Sequence, residues 1–306
     1  MSAEGRKKNS ILISADSSCD IAAEWRKRYD IRVIHHLLQT DEGVFEDRQE
    51  IDSDELSTYL EDDTKSAKSL TPDAKTFEAY FTEQLQDGDS LLHITISHQA
   101  SPSYAAAKEA EQSFSNVCVY DSGDMSGGAG VFVLLAAQLA EKGHSLEEIL
   151  AALTNFKQET CSTYVLRGTE YLRRGGRMSS FLSAMLTAFL LHPVIVMKND
   201  RINYRVSWSA RYRENFIRRT LKNRKEIDTS LLVISYAGLT EEELLWLREE
   251  VERYVHFDRV YVLLSACAVT ANVGPGTFGL VFRRVPKGSA QGRMFDFLPL
   301  REDEEG

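Results

Sequence analysis

No catalytic signature can be read directly from this chain. A Walker loop, a GxSxG elbow, an HExxH pair and a Cys/His set at zinc spacing are all missing, so the common nucleotide-hydrolysing, serine-hydrolase and zinc-protease chemistries lack their usual residues. Cysteine is scarce: Cys19, Cys118, Cys161 and Cys267 lie far apart among apolar or small neighbours and form no CxxC. That pattern argues against a disulfide framework and for a reducing compartment. Basic residues are outnumbered, and a net charge of -10 argues against a nucleic-acid surface spread over the whole molecule, because phosphate affinity comes mostly from Lys and Arg. Internal repeats and low-complexity tracts are absent as well.

Long apolar runs are also few. MSAEGRKKNS is followed only by ILISA, too short a stretch for a signal peptide, so a cytoplasmic protein is expected. The segment from Met178 to Met197 approaches the ~20 residues of a membrane span, but His192-Pro193 interrupts it. Proline cannot donate a backbone hydrogen bond and restricts the residue before it, so this stretch reads as an apolar helix near 179–190 followed by a buried strand.

A chain of 306 residues with 43% apolar content exceeds the usual size of one hydrophobic core, and two domains are expected. In the first half, strand-like ILISA, IRVIHHL, LLHITIS and VCVYD alternate with helices near 20–28, 53–61, 73–86, 103–114, 127–142 and 145–157. Continuous apolar strands alternating with helices imply a mostly parallel sheet covered on both faces. After residue 160 the pattern becomes mixed. CSTYVL, a short helix ending at Gly175-Gly176 and the apolar helix lead into a hairpin of PVIVM and INYRV. A basic helix near 210–224, the strand SLLVISYA, a helix near 240–254, the strand RVYVLL and the strand TFGLVF complete it. The expected fold is thus α/β, with an N-terminal domain over 9–159, a mixed α/β C-terminal domain over 160–300 and a disordered acidic tail over 301–306.

Ligands in parallel α/β sheets gather beyond the carboxyl ends of the strands, and several polar or glycine-rich spots fall there. Asp16-Ser17-Ser18 follows the first strand and fits either a helix cap or a site. Ser69 precedes a helix that Asp73 is suited to cap, and lies outside that cap. SHQASPSY, from Ser97 to Tyr104, offers more hydroxyls than capping needs, at a helix start whose free amides and dipole favour an anion. GTEYLRRGGRMSS and Asn272-Val273-Gly274-Pro275-Gly276 read on their own as a helix stop and a tight turn. Gly123 to Gly130 opens a helix in the manner of a phosphate-binding turn, without GxGxxG.

Taken in order, these pieces resemble the DegV family, bacterial fatty-acid-binding proteins whose best-understood members supply acyl chains to a fatty acid kinase. The family's Asp-Ser turn is matched by Asp16-Ser17-Ser18, its Thr-Ser-Gln-Pro-Ser segment by Ser69 to Asp73, and its Ser-Gly-Thr-Tyr helix start by Ser101 to Tyr104. Asp121-Ser122, Thr169 to Arg177, His192-Pro193 and Asn272 to Gly276 follow in family order, so the likeness spans residues 11 to about 283. Tyr171 to Arg177 is the most specific element.

The resemblance implies the two-domain DegV-like (EDD) fold and a carrier, not an enzyme, that encloses one long-chain fatty acid with no cofactor or metal. Ser69, Ser101, Ser103 and Asn272 would meet the carboxylate, supported by Asp16, Ser17, Ser97, Gly176 and Arg177. Leu182, Met185, Leu186, Phe189 and Leu190 of the apolar helix are candidates for the tunnel wall or for ordinary core. Ser69 keeps the hydroxyl of the family Thr, Pro102 removes an amide, and Asn272 replaces a His and cannot carry charge near neutral pH. Between Arg205 and Lys225 eight basic residues stand against Glu214 alone, and with Arg177 they suggest a docking face, centred on Arg211, Arg218 and Arg219, for an acidic partner such as a kinase. Two rivals remain at this level: a phosphotransferase or hydrolase using the glycine-rich turns and Asp16, and a lipid-responsive regulator.

Overall fold

Helix α5, Ser126–Glu141, shows the plan of the molecule. Its sequence SGGAGVFVLLAAQLAE is apolar on every side, and a helix of that kind must be covered all round. In the computed structural model, which describes residues 11–62, 64–87, 90–174, 191–198, 200–208, 210–285 and 295, α5 is packed between two sheets. On one side lies a parallel sheet of order β2-β1-β6-β7, built from β1 Ile11–Asp16, β2 Arg32–Ile34, β6 Ser90–Thr95 and β7 Val117–Asp121. On the other lies a mixed sheet of order β10-β9-β8-β13-β11-β12, from β8 Thr160–Val165, β9 Leu191–Lys198, β10 Arg201–Trp208, β11 Leu232–Ala237, β12 Val260–Leu264 and β13 Thr277–Arg283. Phe132 and Leu134 of α5 share one core with Ile13 and Leu92 of the first sheet and with Tyr164 and Val233 of the second.

The outer faces are covered separately. α3 Ala74–Gln84 and α4 Ser103–Glu111 close the parallel sheet with Phe77, Phe81, Ala107 and Ala110, against Leu12, Leu91 and Val119. Two further helices, α8 Tyr212–Thr220 and α9 Glu241–Glu252, close the mixed sheet with Phe216, Ile217, Leu247 and Val251. α1 Ala23–Arg28 and α6 Leu146–Glu159 flank α5, with Trp25, Leu153 and Phe156 in the shared core. Capping boxes at Ser145/Glu148 and Thr240/Glu243 fix the starts of α6 and α9 by satisfying first-turn amides reciprocally. The β9–β10 pair is the expected hairpin, antiparallel with Met197 opposite Ile202.

Three features differ from the sequence reading. IRVIHHL is two strands rather than one: β2 ends at Ile34, and β3 Leu37–Gln39 belongs to a separate antiparallel sheet of order β4-β3-β5, with β4 Val44–Glu46 and β5 Lys68–Leu70. Ser69 therefore sits in a strand. Asn272 belongs to a short helix, α10 Cys267–Val273, which packs with α2 Ser53–Tyr59 on this small sheet through Leu38, Leu56, Leu60, Cys267 and Ala271. The turn begins only after it, at Gly274, whose φ of +78° and contact with the Tyr171 ring leave no room for a Cβ. Finally, Asp16-Ser17-Ser18 caps nothing: the cap of α1 is Ala22, with no side-chain hydrogen bond. Asp73 does cap α3, accepting from the Thr76 amide at 2.8 Å.

The expected short helix is α7, Glu170–Arg174. The expected apolar helix and acidic tail lie outside the described residues, as do Gly176, Arg177, Leu182, Met185, Leu186, Phe189 and Leu190. Among the described residues no helix is long and apolar enough to cross a membrane.

Candidate functional site

The carboxyl ends of β1 and β6 face β5 and α10 across a cavity of about 820 Å³. That lies in the upper part of the range for small-ligand pockets, which usually combine apolar walls with a few placed polar groups. Ile96 and Met125 from the first half, and Leu172, Ile195, Val269 and Val273 from the second, form its greasy surface. Ser69, Thr71, Ser101 and Asn272 bring their polar groups to the same wall.

Local pairing explains how these groups converge. Ser69 on β5 stands opposite Leu38 on β3, and the pairing ends one step on, at Leu37 and Leu70. Thr71 Oγ1 lies 3.3 Å from Ser101 Oγ, which also accepts from the Ser103 amide at 3.1 Å at the start of α4. From the second half, Asn272 donates to Ser69 Oγ at 3.3 Å, and its Nδ2 is held by the Ala268 carbonyl one turn earlier, at 2.7 Å. Ser69 and Ser101 come from separate segments of the first half, strand β5 and the turn before α4, and both retain an O–H.

Ser103 is not brought to the cavity. It is fully buried, and its hydroxyl donates to Asp16 Oδ1 at 2.8 Å. Asp16 is itself buried, and its other oxygen accepts from the Ile96 amide at 3.2 Å. Burial pushes the Asp16 carboxyl up, yet the His36 and His93 imidazoles beside it outweigh that and hold it well below the usual carboxylate range. Ser17 donates to Asp47 at 2.9 Å and accepts from the His36 amide at 3.1 Å, fixing the start of β3. Ser97 accepts from the Gln99 amide at 3.2 Å and so shapes the turn before α4. Asp16, Ser17, Ser97 and Ser103 thus support the wall from behind.

Two further cavity residues were not assigned a role from the sequence, although Ser18 belongs to the polar turn after the first strand. Ser18 and His36 are 1% and 2% exposed, and Ser18 Oγ and His36 Nε2 have no hydrogen-bond partner. Strand alternation gives no sign of His36, and capping logic reads Ser18 only as part of a turn.

The phosphate-loop reading of Gly123 to Gly130 is overturned. The Gly127 amide donates to Ser235 Oγ at 3.0 Å, and the Gly128 amide faces the Met125 carbonyl at 3.0 Å and Tyr164 Oη at 3.3 Å, so these first-turn donors are engaged within the chain. The glycines serve close packing: a Cβ at Gly130 would lie 1.9 Å from the Asp20 carbonyl oxygen. Beside them Asp124 accepts from Ser162 at 2.6 Å, and burial pushes its carboxyl up to about 7. Among the described residues no group of His, Cys, Asp and Glu is placed to hold a metal ion.

The basic segment lies away from the cavity, running from β10 through α8 to the residues after it. Arg211 precedes the helix, while Arg218 and Arg219 are exposed in its last turn, Arg218 donating to Asn215 at 2.9 Å. Arg213 is paired with Glu243 at 2.6 Å, and Arg224 lies over the Tyr254 ring.

Residues 10–285 match the family model described as uncharacterised protein, DegV family. A DegV domain-containing protein of Clostridium perfringens is 30% identical over 189 residues, 60% of this chain and 67% of that protein. Another, from Streptococcus pneumoniae, is 24% identical over 89% of this chain and 98% of its own. Among solved structures, one described as showing fatty acid binding of a DegV family protein from Thermus thermophilus superposes with a TM-score of 0.78 at 27% identity, covering 90% of this chain and 100% of that one. A stearic acid-binding protein from Eubacterium ventriosum superposes with a TM-score of 0.79 at 22% identity, covering 90% and 98%.

Proposed function

We propose, from the premise that this chain belongs to the DegV family, that it binds one long-chain fatty acid in the cavity between its halves and acts as a carrier rather than an enzyme. The observation that carries this reading is the cavity itself: an apolar interior with hydroxyls from two separate segments, Ser69 on β5 and Ser101 before α4, on its wall. Each buried methylene contributes ~0.8 kcal/mol, so the tail supplies most of the affinity and the hydroxyls fix the orientation of the carboxylate. The fatty acid ligands named for the Thermus and Eubacterium proteins support the same chemistry here. The division we propose between the two domains falls between α6 and β8, so that tail and head group are gripped from both sides.

The carrier hands its ligand's carboxylate to an acidic protein partner, a fatty acid kinase, that docks on Arg211, Arg218 and Arg219. The exposure of Arg218 and Arg219 on an otherwise acidic chain supports that face. Asn272, where the family pattern has His, brings a neutral donor to the wall, so any charge assisting phosphate transfer comes from the partner. The phosphotransferase alternative loses its footing with the engaged amides of Gly127 and Gly128.

Native mass spectrometry of the purified protein tests the carrier reading. A retained mass of roughly 250 to 300 Da is expected for one long acyl chain in a pocket of this class. Protein that carries no lipid and takes up none when offered palmitate would end the proposal.

A further inference from the structure

A smaller pocket, of about 320 Å³, lies on the outer face of the mixed sheet and shares no lining residue with the central cavity. One face of the strands makes its floor. Thr163 stands opposite Val196, Val194 opposite Arg205 of β10, and Cys161 opposite Phe282 of β13. The last turn of α8 closes one side with Phe216, Arg219 and Thr220. The central cavity uses the alternate residues of the same hairpin, Ile195, Ile202 and Tyr204, so the two spaces lie back to back.

Charge sets this pocket apart on a chain that is acidic overall. Lys157 and Glu159 at its edge are neutralised within the chain, by Asp200 at 2.7 Å and by Arg283 at 2.6 Å. Lys198, Arg205, Arg219 and Arg284 also line it, and among the described residues no carboxylate pairs with any of these four. Arg284 is held in place from two sides. Its Nη2 donates to the Thr220 carbonyl at 2.7 Å and its guanidinium lies 5.2 Å from the centre of the Phe282 ring, yet Nη1 is buried without a hydrogen-bond partner. More than nine in ten buried polar groups in native proteins are paired, and an orphaned donor costs about 1–3 kcal/mol. Burial pushes the Cys161 thiol up, and the Arg284 and Arg205 guanidiniums oppose that, so both charges sit near the pocket floor. Uncompensated cations around one small space call for a multiply charged anion, and the planar fork of arginine matches phosphate oxygens. Val194, Val196 and Phe216 add an apolar surface that a bare inorganic ion would leave unused. We propose that this pocket binds a small phosphate monoester, its phosphate held by Arg205, Arg219 and Arg284 and its apolar body on Val194, Val196 and Phe216. Such a ligand carries close to two negative charges near neutral pH, and the pocket volume falls at the lower end of the small-molecule range. The inference is independent of the fatty-acid reading, and Arg219 is the one residue it shares with the proposed docking face.

The test is isothermal titration calorimetry of the full-length protein with phenyl phosphate and, separately, with inorganic phosphate. Phenyl phosphate should saturate one site and bind about tenfold or more tighter than inorganic phosphate, because only the ester buries apolar surface. Arg205→Gln and Arg284→Gln should each weaken phenyl phosphate about tenfold or more, the equivalent of losing one charge-assisted hydrogen bond. Arg248→Gln removes the same charge from an exposed position on α9 outside the pocket, and should change the affinity by no more than about twofold. Arg205 is exposed, so Arg205→Gln should keep the thermal midpoint of wild type, which separates lost binding from misfolding. No saturable binding of phenyl phosphate, equal affinity for inorganic phosphate, or equal weakening in all three variants overturns the inference.

Discussion

The two halves of the molecule meet in two ways, and the contrast lies in what becomes of their buried polar atoms. Along the seam, carboxylates of the first half accept from the second half: Asp20 from the Ala266 amide at 2.9 Å, Asp47 from the Cys267 amide at 2.8 Å, and Asp124 from Ser162 at 2.6 Å. Arg48 reinforces the join, reaching Asp20 at 2.5 Å and the Leu264 carbonyl at 3.0 Å. At the cavity, Ser18 and His36 are as deeply buried and have no such partners. The seam is satisfied from within the chain, whereas the cavity wall keeps two buried polar atoms, Ser18 Oγ and His36 Nε2, with no hydrogen-bond partner there.

Breaking the seam should give the largest effect. Asp20→Ala strands Arg48, Ser126 and the Ala266 amide around a vacated acceptor, and a loss of about 3–5 kcal/mol is expected from urea unfolding. A loss under about 1 kcal/mol would mean that the seam does not join the halves. Asp124 probes the same join through pH. Its carboxyl, held at about 7 against an ordinary 3.8, favours the folded state fully below about 4, and that contribution fades as pH rises to about 7 and stays level above. Asp124→Asn should therefore gain on wild type by a few kcal/mol (~1.4 per pKa unit) between those limits, and a pH-independent difference would contradict the burial argument.

On the cavity side the effects are smaller and appear in binding. Replacing Ser69 and Ser101 together by alanine should weaken palmitate by about 1–3 kcal/mol while leaving the unfolding midpoint of the empty protein near wild type. Unchanged affinity would move the head group elsewhere. Smallest of all is the expected lipid effect of reversing Arg218, Arg219 and Arg224 to Glu, within about twofold, since these residues belong neither to the seam nor to the cavity. The same variant should bind the proposed kinase partner more weakly in a pull-down, and undiminished capture would discard the docking face.

Most of the framework could be read from the sequence because its periods are strong. ILISA and LLHITIS are continuous apolar strands of a doubly covered sheet, and α5 advertises its burial by lacking a polar face. The small sheet was hidden because β3, β4 and β5 are three residues each, too short for alternation to register. Helix α10 was hidden for another reason. CAVTANV is poor in strong helix formers and runs into Gly-Pro-Gly, and its start is secured by tertiary bonds from Asp47 to the Cys267 amide and between Ser53 and Thr270. Ser69 and Ser101 stood out locally as hydroxyls that capping does not use, while family resemblance alone proposed a head-group role for them and for Asn272. Ser18 was visible only as part of a polar turn and His36 not at all, because an unpaired buried atom is a property of the folded surroundings.

Gly130 sets one dimension of the seam without contributing a side chain. With no space for a methyl between α5 and the Asp20 carbonyl, the depth of that loop is fixed by main chain against main chain. Residues lining the cavity can then be exchanged while the carboxylate that receives the Ala266 amide keeps its place.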